Sequence, residues 1–248
     1  MLKDRLFGLI GKNISYSFSK KYFTEKFHNE KILKARYELF DLPDIENFIP
    51  LLARYPDLSG LNVTIPYKED IVPYLTELKA QAREIGAVNT IKIRGDERIG
   101  YNTDIYGFEK SFTKYLLPKH KQALVLGRGG AAKAVGFVLK KMGIPFQPVS
   151  RDEKKVHLSY SSLDKSILEK YQIIINCTPL GTYPYTDQCP LLPYQYLGTQ
   201  HYLYDLVYNP LESLFLKIGK SQGALTQNGL QMLHLQAERA WEIWNARE

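Results

Sequence analysis

Polar residues gather in four short segments: Ser15-Tyr16-Ser17-Phe18-Ser19, Asn62-Val63-Thr64 with Lys68, Ala87-Val88-Asn89-Thr90, and Asn102-Thr103-Asp104 with Gly107. Together they supply hydroxyls, side-chain amides, one ammonium and one carboxylate. That set suits a small, hydroxyl-rich carboxylic acid, because every ligand hydroxyl needs both a donor and an acceptor around it. Taken singly, each segment also has a plainer reading. Ser19 suits the N-cap of a helix over 20–30. Asn102-Thr103-Asp104 equally suits the cap of a helix over 105–115. LNVTIPYK, at 61–68, alternates Leu61, Val63 and Ile65 with Asn62 and Thr64, as a half-buried strand with a wet face does. Pro66 then ends that strand ahead of Lys68.

A second chemistry is written further along the chain. Gly127-Arg128-Gly129-Gly130-Ala131-Ala132 fits G-x-G-x-x-G/A, with the strand ALVL before it and a helix straight after. The glycines allow a tight turn and let the backbone approach a pyrophosphate. The helix start offers free N–H groups and a partial positive charge to that anion. About 20 residues on, an NAD-binding chain carries an acid for the ribose 2′-hydroxyl. Here Ser150-Arg151 stands in that place, with Lys154 and Lys155 behind it. An arginine grips a 2′-phosphate through paired hydrogen bonds, so NADP(H) is favoured over NAD. Asp152 in the same turn works against that preference.

The elements that must position these groups follow from pattern. Strands are expected at 6–10, 35–40 and in LNVTIP, and helices near 20–30, 44–52 and 73–84. Two short runs around Arg94-Gly95-Asp96-Glu97 read as a hairpin, whose central register sets Asn89 opposite Asn102. From Lys121 onward, apolar runs alternate with helices, as in a parallel sheet buried on both faces. These runs are QALVL, PFQPVSR, YQIIINCTP and HYLYDLVYNP; GALTQNGL reads as a short link. The last helix, 229–244, carries one apolar stripe (Leu230, Leu233, Ala237, Ala240, Trp241, Trp244) suited to docking back on the first domain.

Composition narrows the function classes. The 248 residues suffice for two modest α/β domains, and 44% hydrophobic with 24% charged residues is ordinary for a globular chain. The formal charge of +7 comes from scattered Lys and Arg, without a basic tract or nucleic-acid-binding signature, so a nucleic-acid partner is not expected. No apolar run approaches the ~18–20 residues of a membrane span, and the N-terminal stretch lacks a signal-peptide apolar region. Two cysteines, Cys177 and Cys189, make no disulfide framework and no metal site, which suits a cytoplasmic home.

In order along nearly the whole chain, these motifs resemble those of the shikimate dehydrogenase family. SFS at 17–19, NVTIPYK at 62–68, GAVNT at 86–90 and NTDIYG at 102–107 carry the first half of the resemblance. GRGGAAKA at 127–134, SRDEKK at 150–155, NCTPLG at 176–181, DLVYNP at 205–210 and NGLQMLHLQA at 228–237 carry the second. The resemblance implies two α/β domains flanking a cleft: a substrate domain (1–103 plus 226–248) and a Rossmann-like NADP-binding domain (104–225). The C-terminal helix would return to the first.

It implies reversible NADPH-dependent reduction of 3-dehydroshikimate to shikimate, in chorismate and aromatic amino-acid biosynthesis, by a monomer or homodimer. Lys68 and Asp104 would be the catalytic pair. Ser17, Ser19, Asn62, Thr64, Asn89, Tyr208 and Gln236 would bind the substrate. Gly127, Arg128, Gly129, Gly130, Ala131, Ser150, Arg151 and Lys155 would hold NADP(H), with Thr178, Leu206 and Gly229 near the nicotinamide end.

Four positions depart from the family pattern: Lys20 replaces a proline, Ser150 and Asp152 replace Asn and Thr, and Asn228 replaces an Asp. Two other readings stand beside this one. One is a shikimate/quinate dehydrogenase that also uses NAD, and the other a non-catalytic NADP-binding sensor.

Overall fold

The computed structural model describes residues 4–15, 17–151 and 158–246. The chain divides into two compact units, Met1–Thr103 with Ala237–Glu248, and Asp104–Gln236.

The first unit holds β1 (Arg5–Gly11), α1 (Phe18–Asn29), β2 (Ala35–Asp41), α2 (Phe48–Arg54), β3 (Leu58–Val63), β4 (Glu77–Leu78), α3 (Ala80–Ile85), β5 (Thr90–Arg94) and β6 (Glu97–Tyr101). The strands form one mixed sheet in the order β2-β1-β3-β5-β6-β4, parallel at β1 with β2 and β3, antiparallel at β3–β5 and β5–β6. β1 is apolar nearly throughout because both its faces are covered. Leu6 and Ile10 join Leu61 and Val63 against Phe48 and Leu51 of α2. Phe7, Leu9 and Tyr37 pack on the other face against Phe23 and Phe27 of α1 and Ala237, Ala240 and Trp244 of the last helix. That helix therefore covers the first sheet, as its apolar stripe requires.

Trp244 fits only because position 60 is glycine. Its indole N–H donates to the Ile91 carbonyl at 3.0 Å, and its ring stacks on Phe7 at 4.8 Å. A Cβ on Gly60 would collide with Nε1 of Trp244. Gly60→Ala is expected to cost about 1–3 kcal/mol, the range for overpacking a filled core. The shift of the urea midpoint measures it; an unchanged midpoint would mean that the indole moves aside freely.

The second unit holds α4 (Asp104–Phe112), β7 (Ala123–Leu126), α5 (Gly130–Lys141), β8 (Phe146–Ser150), β9 (Leu158–Ser159), α6 (Lys165–Lys170), β10 (Ile173–Asn176), β11 (Tyr202–Asp205), α7 (Leu214–Ser221), β12 (Leu225–Gln227) and the start of α8 (Leu230–Asn245). The sheet order is β12-β11-β10-β7-β8-β9, with every pairing parallel. Counted within the unit from the β9 edge, this is the 3-2-1-4-5-6 order of a Rossmann fold. The strand order reverses between β7 and β10. In such sheets ligands bind outside the carboxyl ends of the strands at that point.

Several local expectations are corrected. The cap of α1 is Ser17, not Ser19: Ser17 is extended (φ −64°, ψ 133°) and its side chain accepts from the Ser19 N–H at 3.3 Å. β3 stops at Val63, so Thr64 lies beyond the strand, in a turn where Tyr67 N–H bonds the Thr64 carbonyl at 3.0 Å. The expected helix over 73–84 breaks into a single 3-10 turn (Val72–Tyr74), β4 and α3. It breaks because Thr76 N–H and Lys79 N–H bond carbonyls of Arg98 and Gly100 on β6 instead of their own helix. The expected link GALTQNGL contains β12, the sixth strand of the second sheet, paired to β11 from Tyr202↔Leu225 to Tyr204↔Gln227. Residues 226–236 consequently group with the second unit, and the second boundary falls inside α8 rather than before it.

Candidate active site

In the first unit, three of the four polar segments meet through hydrogen bonds. Asn62, next to last in β3 and 6% exposed, sits on the sheet face covered by α1. Its Oδ1 accepts from the Tyr37 hydroxyl at 2.8 Å. Its Nδ2 donates to the Asn89 carbonyl at 3.3 Å and to Thr90 Oγ1 at 3.2 Å. The hairpin β5–β6 pairs Thr90↔Tyr101 through Arg94↔Glu97, and that line continues to Asn89 opposite Asn102, the register read from the turn. Asn89 then reaches Thr103: its Oδ1 accepts from the Thr103 N–H at 2.7 Å, and its Nδ2 donates to Thr103 Oγ1 at 3.0 Å. Thr90 adds a hydroxyl bond to Asn89 Oδ1 at 3.1 Å.

Burial pushes the Tyr37 phenol well above its usual range, so it remains a neutral O–H donor. Ser17 and Ser19 are both half-buried at the start of α1. Thr64 and Lys68 are half-buried in the turn after β3, with Thr64 N–H bonded to the Ile10 carbonyl at 2.9 Å. The Lys68 carbonyl accepts from Val88 N–H at 2.7 Å, which ties the turn to the segment entering β5.

In the second unit, Asp104 is buried as the first residue of α4. One turn along the same helix face, Gly107 packs on α8: a Cβ there would lie 2.6 Å from the Met232 carbonyl and 3.1 Å from Gln236 Cβ. Gln236 thus lies against the face of α4 that carries Asp104. Its Nε2 donates to the Leu233 carbonyl at 2.9 Å.

The glycine loop leaves β7 at the switch point. Gly127 has φ 108°, a left-handed conformation that glycine tolerates, and its N–H bonds the Val149 carbonyl at 3.0 Å. A Cβ on Gly127 would come within 3.2 Å of Thr178 Cγ2 and 3.3 Å of the Cys177 carbonyl. The turn after β10 therefore borders the loop. Gly129 caps α5 in an extended conformation, exposed, with nothing within 4 Å of its would-be Cβ. Gly130 and Ala131 open the helix, while Arg128 is exposed. A backbone this open at the start of a 12-residue helix fits a pyrophosphate. Ser150 ends β8 and Arg151, exposed, follows it. Lys155 lies outside the described residues.

Asp205, which opens the DLVYNP motif but is given no role in the motif reading, organises the neighbouring loops. It ends β11 fully buried. Its Oδ1 accepts from Asn176 Nδ2 at 2.9 Å and from Val207 N–H at 3.0 Å, and its Oδ2 from the Ser213 hydroxyl. Asn176 Oδ1 in turn accepts from Thr178 N–H at 3.0 Å and Thr178 Oγ1 at 2.6 Å. Burial raises the Asp205 carboxyl to about 6, against the lowering effect of those bonds. The same carboxylate, added to burial, raises the Cys177 thiol, which stays protonated and inert. Leu206 follows, and a Cβ on Gly229 would collide with its carbonyl, so only glycine lets the start of α8 approach. Tyr208, two residues on, is half-buried. An acid closing an apolar strand was the signal for Asp205. Tyr37 had none, being one of two aromatics in β2.

A Rossmann sheet with an open glycine turn at its switch point, joined in one chain to a separate α/β unit with a buried amide–hydroxyl cluster, is the build of a dinucleotide-dependent oxidoreductase. The shikimate dehydrogenase substrate binding domain family matches residues 9–91. The shikimate dehydrogenase (NADP(+)) of Methanococcus maripaludis is 39% identical, over 98% of this chain and 92% of its own. The chain belongs to the shikimate dehydrogenase family. Solved structures agree. A shikimate dehydrogenase in complex with NADP+ superposes with a TM-score of 0.85 at 35% identity, covering 99% of this chain and 91% of its own. The shikimate 5-dehydrogenase of Thermus thermophilus, in complex with NADP(H) and shikimate, gives 0.86 at 28% identity, covering 97% and 93%.

Proposed function

We propose that this chain catalyses the reversible NADPH-dependent reduction of 3-dehydroshikimate to shikimate. The observation that carries it is the buried network joining Asn62, Asn89, Thr90 and Thr103 to Tyr37, nearly all of it inside the segment that matches the substrate-binding-domain family. A polyhydroxylated acid needs such a set of fixed donors and acceptors. Ser17, Ser19, Asn62, Thr64, Asn89, Tyr208 and Gln236 take the substrate's carboxylate and hydroxyls. Gly127, Arg128, Gly129, Gly130 and Ala131 hold the cofactor's pyrophosphate, Ser150, Arg151 and Lys155 its 2′-phosphate, and Thr178, Leu206 and Gly229 its nicotinamide end.

NADPH, when bound, supplies the hydride. The chain's own part is position and a proton. Reduction of a ketone leaves negative charge on its oxygen, and the Lys68 ammonium offers that oxygen a proton or a compensating charge. Asp104 accepts a hydrogen bond from a neighbouring substrate hydroxyl and so orients the ring. The protein works in the cytoplasm, as a monomer or homodimer. Its two cysteines, both free thiols, suit a reducing compartment.

The test is turnover by the purified protein with shikimate or quinate, each with NADP+ or NAD+. Shikimate with NADP+ is expected to give the highest kcat/KM. A preference for quinate or NAD+ would replace this reading with the shikimate/quinate one, and no turnover with any pair would remove catalysis altogether.

A further inference from the structure

We infer that Asp205 is a positioning residue for the cofactor site, fixing the segment 177–180 beside the glycine loop through the side chain of Asn176. The inference rests on the cofactor placement proposed above, not on the identity of the substrate. Strand register brings the two side chains together. β10 and β11 run parallel with Asn176↔Asp205 as their last pair. On its other side Asn176 pairs with Leu126, the residue before Gly127. Asn176 thus stands on the strand between the acid and the glycine loop, and both side chains are fully buried.

Donor and acceptor roles set the direction. The Thr178 N–H can only donate, so the Asn176 atom that meets it at 3.0 Å is Oδ1. Nδ2 then faces Asp205, whose Oδ1 accepts from it at 2.9 Å. The carboxylate is itself held by Val207 N–H at 3.0 Å and by the hydroxyl of Ser213, the cap of α7. Asp205 fixes the rotamer of Asn176, and Asn176 Oδ1 fixes Thr178 by its N–H and, at 2.6 Å, by its hydroxyl. The segment so held leaves little slack. A Cβ on Gly127 would lie 3.2 Å from Thr178 Cγ2 and 3.3 Å from the Cys177 carbonyl. Leu126 and Asn176 end the two strands of the switch point, outside which the ligand of such a sheet lies. Without the carboxylate, Asn176 Nδ2 would keep only the Leu180 carbonyl, at 3.5 Å, and the amide could turn its N–H toward that of Thr178.

The experiment measures the Kd of NADP+ by calorimetry on the full chain, well below the melting temperature, where lost stability alone does not change it. Asp205→Ala is expected to raise that Kd roughly 3- to 10-fold, the worth of about one net hydrogen bond. Asp205→Asn, whose amide oxygen still accepts from Asn176 and Val207, is expected to stay within about twofold of wild type. Because Asp205 acts through Asn176, the double variant of Asp205→Ala with Asn176→Ala should be no worse than Asn176→Ala alone. An unchanged Kd in Asp205→Ala, or single effects that multiply in the double variant, would overturn the inference while the proposed activity stands. A loss in Asp205→Asn as large as in Asp205→Ala would overturn it too, by tracing the effect to the charge. The expected shifts in a protein that fails to turn over shikimate would keep the inference and remove the activity. A wild-type protein that binds no NADP+ would overturn both. Should Asp205→Ala not fold, Asn176→Ala and Ser213→Ala compare two arms of the carboxylate: a raised Kd in the first alone supports the inference, and any other pattern overturns it.

Discussion

Lys68→Ala is expected to lower kcat by about 10²–10⁴-fold, the worth of a lost acid–base or charge-stabilising group, while the KM for shikimate moves far less. The reasoning is differential. The Lys68 ammonium gains most when charge develops on the carbonyl oxygen, and an interaction stronger in the transition state than in the ground state appears in kcat. The variant should fold, because the bond that ties this turn to the segment entering β5 uses the Lys68 backbone carbonyl, not its side chain. Lys68→Arg then separates two roles. A guanidinium holds its charge but does not give up its proton at ordinary pH. If Lys68 mainly stabilises charge, Lys68→Arg should keep kcat within about tenfold of wild type. If it transfers the proton, Lys68→Arg should fall as far as Lys68→Ala. Steady-state kinetics in both directions decide, and a Lys68→Ala enzyme with near-wild-type kcat would remove the lysine from the mechanism.

Arg151→Ala should raise the KM for NADPH about 10- to 100-fold and leave the KM for NADH within about twofold, the span expected for charge-assisted hydrogen bonds of about 1.5–3 kcal/mol. Arg151 directly follows β8, whose pairing with β7 and whose Val149 carbonyl, bonded to Gly127 N–H at 3.0 Å, bring the end of the strand beside the glycine loop. From that place an arginine can meet a 2′-phosphate, which NADH lacks. The same contact predicts that added salt weakens NADPH binding in the wild type more than in the variant. Equal losses for NADPH and NADH would mean that Arg151 supports the loop generally and reads no phosphate.

Several features were legible in the sequence because they are local in the chain. The glycine turn between ALVL and a helix needs only contiguous residues, and β7, Gly127 and α5 stand where that pattern puts them. The hairpin register followed from its own turn, since Arg94↔Glu97 fixes every pair behind it. The apolar stripe of the last helix declared a buried face, and Ala237, Ala240 and Trp244 are buried against the first sheet.

Where a segment's hydrogen bonds go to a distant partner, local pattern misleads. The stretch 73–84 carries helical spacing, yet β6 claims two of its N–H groups. LTQ at 225–227 has too little apolar character to announce a strand, and β11 makes it one by pairing. For the site, the linear order of residues settles the inventory: which amides, hydroxyls, lysine, acid and glycines are available, and in what succession. Their partners come from the folded chain. Tyr37 meets Asn62 across 25 residues, and Asn176 meets Asp205 across 29. Such contacts depend on strand order and register, which place residues far apart in the chain side by side, and no local preference encodes that distance.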